Sequence, residues 1–239
     1  MKKFIVSTAL VGLFGIASLQ AAFDGTIGLG NTPGRTGQGG PFTITVLTAN
    51  TPAMQQAINN GNPFLSFCLE QTEHVDLSGN QGYNVNVNTA AVSGGGGAVA
   101  GQDAISLATA WLYKTFRANN TTGLDAFFVA NFGSVALGRT ALQEAIWYLE
   151  QAQNTGNNAL VTLAMSTLGL NAGNVRTIDA NGAWGVKVLN LYSANVNTAG
   201  RYDKLQDQLV LVPEPSTYVA GALLLIPVLA QVRRWKRSA

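Results

Sequence analysis

Apolar and polar positions change period several times along the chain. Residues 42–47 alternate and are rich in β-branched side chains, which predicts a strand. Residues 52–59 read as a short helix. Residues 64–70 read as a second strand, with Leu65, Phe67 and Leu69 on one face and Phe64, Ser66 and Cys68 on the other. Residues 83–88 alternate again. The period then lengthens. Over 104–117, Ile105, Ala108, Leu112 and Phe116 form one stripe behind Asp103 as the expected N-cap. Residues 124–132, 140–153 and 158–168 continue the helical pattern, with Leu142, Ile146 and Leu149 on the apolar face of the middle segment. Strands return at 186–192 and 208–212. Strands, then helices, then strands predict an α+β domain, a β-sandwich or small barrel carrying a helical insertion.

The two ends follow other rules. Lys2 and Lys3 precede an uncharged run over 4–17 and a small-residue exit, Ser18-Leu19-Gln20-Ala21-Ala22. That order reads as a secretory signal peptide over 1–22, cut after Ala21 or Ala22; the other reading is a short retained anchor. At the far end, Pro213-Glu214-Pro215-Ser216 precedes an apolar run and then Arg233-Arg234-Trp235-Lys236-Arg237. Neither proline can donate to a sheet ladder, so the globular part should end near 211. The run 217–232 reads as a transmembrane helix, and its basic end should stay in the cytoplasm.

The box, the helix and the basic end occur in that order over the last 27 or so residues, and they resemble the PEP-CTERM sorting signal. The resemblance implies recognition by an exosortase, a membrane-embedded cysteine transpeptidase that cuts near Pro213-Glu214-Pro215. It also implies a Gram-negative, exopolysaccharide-making cell, transient anchoring in the inner membrane, and a destination at the cell surface or in the extracellular matrix. An ordinary single-pass anchor with a proline-rich hinge is the other reading. Residues 212–239 form this tail and residues 23–211 the exported domain.

Charge changes the picture once the ends are set aside. The whole chain carries 14 basic and 12 acidic residues. Lys2, Lys3, Arg233, Arg234, Lys236 and Arg237 lie in the terminal signals and Glu214 in the tail. The exported domain therefore carries a small net negative charge and no basic patch for nucleic acid. It is rich in Gly, Asn, Thr and Ala, and the run Gly94–Gly97 reads as a plain loop rather than a phosphate cradle.

One cysteine, Cys68, enters an oxidising compartment without an internal disulfide partner. It is therefore buried and inert, paired with another molecule, or chemically occupied. Phe67-Cys68-Leu69 and Leu142-Gln143-Glu144-Ala145-Ile146-Trp147 together resemble the bacterial thioester domain over about residues 40–195. In that family a strand cysteine displaces ammonia from a helix glutamine, and the resemblance implies an internal Cys68–Gln143 thioester open to attack by an amine on a partner. The better-known adhesins of this kind sit on Gram-positive walls, unlike this tail. A second reading of Gln143 stands beside it: Thr140-x-x-Gln143 fits a capping box at a helix start, with Cys68, Ile146 and Trp147 as simple core.

Other chemistry is thin. His74, six residues past Cys68, is the only histidine and gives a weak Cys–His pair. Glu70, Glu73 and Asp76 read as a solvated acidic turn rather than a cation site. No cofactor, no metal and no enzyme activity are expected. The expectation is an exported surface or matrix protein, covalently adhesive through Cys68–Gln143. The alternative is a polysaccharide-associated structural or carbohydrate-binding matrix protein with an inert cysteine, in which Tyr83, Tyr113 or Trp184 would stack on sugars.

Overall fold

The computed structural model describes residues 22–32, 39–57, 63–77, 82–92, 101–118 and 123–212. Residues 1–21 of the expected signal peptide, the Pro213-Glu214-Pro215 box, the run 217–232 and the basic end lie outside them. No helix among the described residues is long and apolar enough to cross a membrane.

The strands are β1 (Gly25–Asn31), β2 (Phe42–Ala49), β3 (Phe64–Ser66), β4 (Tyr83–Asn88), β5 (Ala90–Val92), β6 (Gln102–Ala104), β7 (Val186–Val196) and β8 (Tyr202–Leu211). The helices are α1 (Pro52–Ala57), α2 (Leu107–Arg117), α3 (Asp125–Phe132), α4 (Val135–Leu149) and α5 (Ala159–Leu168). Six strands form one antiparallel sheet in the order β3-β2-β1-β4-β7-β8, while β5 and β6 pair separately. The sheet curls into a half-barrel. Its two edges approach where the chain leaves β3: Leu209 N–H donates to Phe67 C=O, and Leu69 N–H donates to Asp207 C=O. Cys68 stands directly opposite Gln208 at this seam. The α+β class is as expected, and helices α2–α5 lie between strands β6 and β7. A single curled sheet, not two stacked ones, carries them.

Side-chain alternation at the seam separates two apolar cores. Phe67 and Leu69 enter a core with Leu112, Tyr113, Phe128, Leu142, Ile146 and Leu149. Cys68 enters the other, with Ile27, Phe42, Ile44, Val85, Trp147 and Val210. Burying each large apolar side chain contributes about 1.5–3 kcal/mol, so both faces of this short segment are held in place. Phe67 also meets Phe116 of α2 edge-on at 5.1 Å, a geometry that adds to area burial.

Several expected boundaries move. Ser106, not Asp103, caps α2: its side chain accepts from Thr109 N–H, while Asp103 lies in β6. Buried Glu150 explains the shift, since it accepts from both Ser106 N–H at 3.1 Å and Ser106 Oγ at 2.8 Å and fixes that residue at the helix start. Helix α4 begins at Val135 behind Ser134, whose side chain accepts from Leu137 N–H. Thr140 is therefore a mid-helix residue and the capping-box reading of Gln143 fails. Strand β1 was not anticipated, because its glycines interrupt the apolar alternation. It forms because Ile27 and Leu29 are buried and both its edges pair, with β2 and with β4.

Candidate functional site

Cys68 and Gln143 are 75 residues apart in sequence and meet in the core, both with no exposed surface. On α4, Leu142, Ala145, Ile146 and Leu149 fill the first core and leave Gln143 and Trp147, four residues apart on one face, to reach the second. Because β8 takes the Phe67 carbonyl and the Leu69 N–H, the backbone groups of Cys68 point to the other side of the segment. The Gln143 carboxamide occupies that side as an added strand would. Its Oε1 accepts from Cys68 N–H at 3.1 Å, and its Nε2 donates to Cys68 C=O at 2.9 Å.

The same oxygen also accepts from Gly40 N–H at 2.8 Å and from the Cys68 thiol at 3.3 Å. Three donors thus converge on one carbonyl. Gly39 and Gly40 must be small here. A β-carbon on Gly39 would lie 2.5 Å from the Trp147 ring and 2.8 Å from Gln143 Cγ. One on Gly40 would lie 2.9 Å from both Gln143 Oε1 and the Ser66 carbonyl oxygen. The indole N–H of Trp147 is buried without a full hydrogen-bond acceptor. It acts on the neighbouring sulfur instead, favouring the ionised form, as does Gly40 N–H.

Burial dominates the thiol's electrostatics and pushes it up to about 12, with the charge of Glu70 adding to the rise. The resting nucleophile is therefore a neutral thiol. The arrangement can activate the electrophile: two backbone N–H groups already point at the oxygen that would carry negative charge when sulfur attacks the carboxamide carbon, the geometry of an oxyanion hole.

Other candidates fare differently. His74 is exposed while Cys68 is sealed from solvent, so the Cys–His pairing has no support. Glu70 is not part of a solvated turn; it is buried at 1 % exposure, with Oε2 accepting from Asp207 N–H at 3.2 Å. No group of three or more His, Cys, Asp or Glu among the described residues is arranged to hold a metal ion. Tyr83 and Tyr113 are buried and unavailable for stacking on sugars, with their hydroxyls donating to the Asp76 and Leu65 carbonyls. Trp184 is 40 % exposed. The sequence reading missed Gly39 and Gly40. The only signal for them is a Gly-Gly-Pro run ahead of a strand, which is ordinary turn composition.

Glu70 and Asp207 give a pH prediction. Burial raises both, and the charges of Asp207 and Glu73 raise Glu70 further, to about 9. A raised carboxyl binds its proton more tightly in the folded state. Stability is therefore fullest at mildly acidic pH and falls as pH climbs from the ordinary carboxyl range toward that value. Each pH unit between the ordinary and the raised value costs about 1.4 kcal/mol per group, so the loss between pH 5 and pH 9 should amount to several kcal/mol. Urea midpoints across that range check it, and Glu70→Gln should flatten the slope.

Comparison with known protein families, characterised proteins and solved structures finds no match to this chain.

Proposed function

We propose that this is an exported surface or matrix protein, sorted by an exosortase, whose domain forms an internal Cys68–Gln143 thioester and captures amine-bearing ligands covalently. The convergence of Cys68 Sγ, Cys68 N–H and Gly40 N–H on Gln143 Oε1 carries the reading. An inert cysteine needs no such set of donors around a buried carboxamide. Sulfur bonds to the Gln143 carboxamide carbon, the oxygen takes negative charge against the two backbone donors, and the bond to Nε2 breaks. The thiol proton leaves with that nitrogen as ammonia. Holding both groups together in a sealed core replaces a bimolecular encounter, an advantage that reaches about 10⁵ M in effective concentration. The resulting acyl group is shielded from water. In the reverse sense, an amine takes the carbonyl and returns the thiol to Cys68.

Intact mass of the mature protein tests this. The expected value is one ammonia below the sequence mass, with Cys68→Ala and Gln143→Ala each restoring the full mass. A full-mass wild-type protein whose thiol titrates freely after denaturation overturns the reading. The second reading, a polysaccharide-associated matrix protein with an inert cysteine, is favoured by one observation, the sealed thiol held near 12. It predicts polysaccharide retention unchanged by Cys68→Ala.

A further inference from the structure

Thioester closure removes Nε2 and leaves the Cys68 carbonyl oxygen without the donor it receives in the structure. That bond is 2.9 Å long and fully buried. Strand β8 offers no replacement, because its ladder bonds go to Phe67 and Leu69. A buried carbonyl without a partner is costly, and whatever next supplies a donor there is favoured. Gln143 Oε1, by contrast, keeps Gly40 N–H and Cys68 N–H throughout. The site therefore has one fixed half, which holds oxygen, and one vacated half, which is built to receive N–H.

We propose that the position vacated by Gln143 Nε2 is the nucleophile subsite, with the Cys68 carbonyl oxygen as its acceptor, and that it selects primary amines over secondary amines and alcohols. The inference rests on the thioester reading above. Its logic is reversibility: a nucleophile re-forms the tetrahedral centre that ammonia left, so its attacking atom enters along the path Nε2 took. As the nitrogen bonds to the Gln143 carbonyl carbon and the carbon–sulfur bond breaks, one proton passes from nitrogen to the Cys68 sulfur. A primary amine keeps a second N–H to donate to the Cys68 carbonyl at that stage. A secondary amine or an alcohol has given up its only hydrogen and leaves the oxygen orphaned. The discriminating group is a backbone atom, so no side chain betrays it.

Ethylamine and dimethylamine provide the test, because they are isomers of similar size and basicity. Each is incubated separately with the mature wild-type protein and, in parallel, with a small alkyl thioester in the same buffer, and adduct formation is followed by intact mass. The expected result is a preference for ethylamine at least about tenfold greater on the protein than on the small thioester, the size of one orphaned buried acceptor. Equal preference on the two overturns the subsite while leaving the thioester in place. A wild-type protein that shows no ammonia deficit and no adduct with either amine overturns both.

Discussion

Gly40→Ala should abolish the ammonia deficit of the mature protein on the timescale of its purification and leave the fold intact. The substitution adds one carbon, which would stand 2.9 Å from Gln143 Oε1, 2.9 Å from the Ser66 carbonyl and 3.1 Å from Phe67 Cα. Two of those atoms are backbone in the seam and cannot yield cheaply, so residue 40 must shift away from them and from the Gln143 carboxamide. The carboxamide oxygen then loses the 2.8 Å bond from Gly40 N–H. Losing one oxyanion donor slows acyl chemistry by about 10²–10³-fold. Gly28→Ala serves as the control. It makes the same change on a strand of the same sheet, where the nearest neighbour would be the Thr45 carbonyl at 3.9 Å. It should keep the deficit. Intact mass with circular dichroism on all three proteins reads the outcome, and an unchanged deficit in Gly40→Ala would show that this N–H does not hold the reacting oxygen.

Gly138→Ala should destabilise the domain by about 3 kcal/mol, against the ordinary helix preference. In an exposed helix this change stabilises by up to about 1 kcal/mol. Here α4 crosses α3 so closely that the new carbon would lie 2.1 Å from Phe128 Cγ and 2.2 Å from Phe128 Cβ. The second of those atoms is fixed to the α3 backbone, so no rotamer of Phe128 relieves the overlap and the helices must separate. Separation would open the core that Phe128 shares with Leu142 and Ile146. Urea denaturation measures the loss. A double-mutant cycle identifies its source: in a Phe128→Gly background, which removes that β-carbon as well as the ring, the same substitution should cost nothing or stabilise.

Both predictions concern glycines, and the sequence signals neither. What it does signal is side-chain periodicity. Strand β4 falls where alternation places it, and Ala108 and Leu112 of α2 and Leu142, Ile146 and Leu149 of α4 are buried as their spacing requires. The alternation of Phe67, Cys68 and Leu69 also foretells which side chains separate into which core. The start of α4 was hidden by Gly138 and Arg139, which break the apolar stripe; tertiary contact with Phe128, not propensity, sets that glycine. Cys68 and Gln143 were legible as a pair only through the resemblance of their two short motifs to a thioester domain. The rest of the site was not, since Gly40 N–H, Cys68 N–H and the Cys68 carbonyl are backbone groups carried by every non-proline residue alike. Glu70 misled for a related reason. An acidic residue near two others reads as solvent-facing until tertiary structure buries it against β8.

The seam between Phe67–Leu69 and β8 has a mechanical consequence. The chain runs from the last residue of β8 directly into the segment that begins with Pro213. Tension applied from that end enters the domain along β8, whose long antiparallel pairing with β7 and clasp on Phe67 and Leu69 lie across the direction of pull. Antiparallel ladder bonds run perpendicular to the strands, so a pull along β8 loads them side-on. A ligand held on Gln143 would be only one chain segment away from this strand. Under the proposed function, a load applied between the C-terminal end of β8 and a partner on Gln143 would reach the seam through the contact of Gln143 with Cys68.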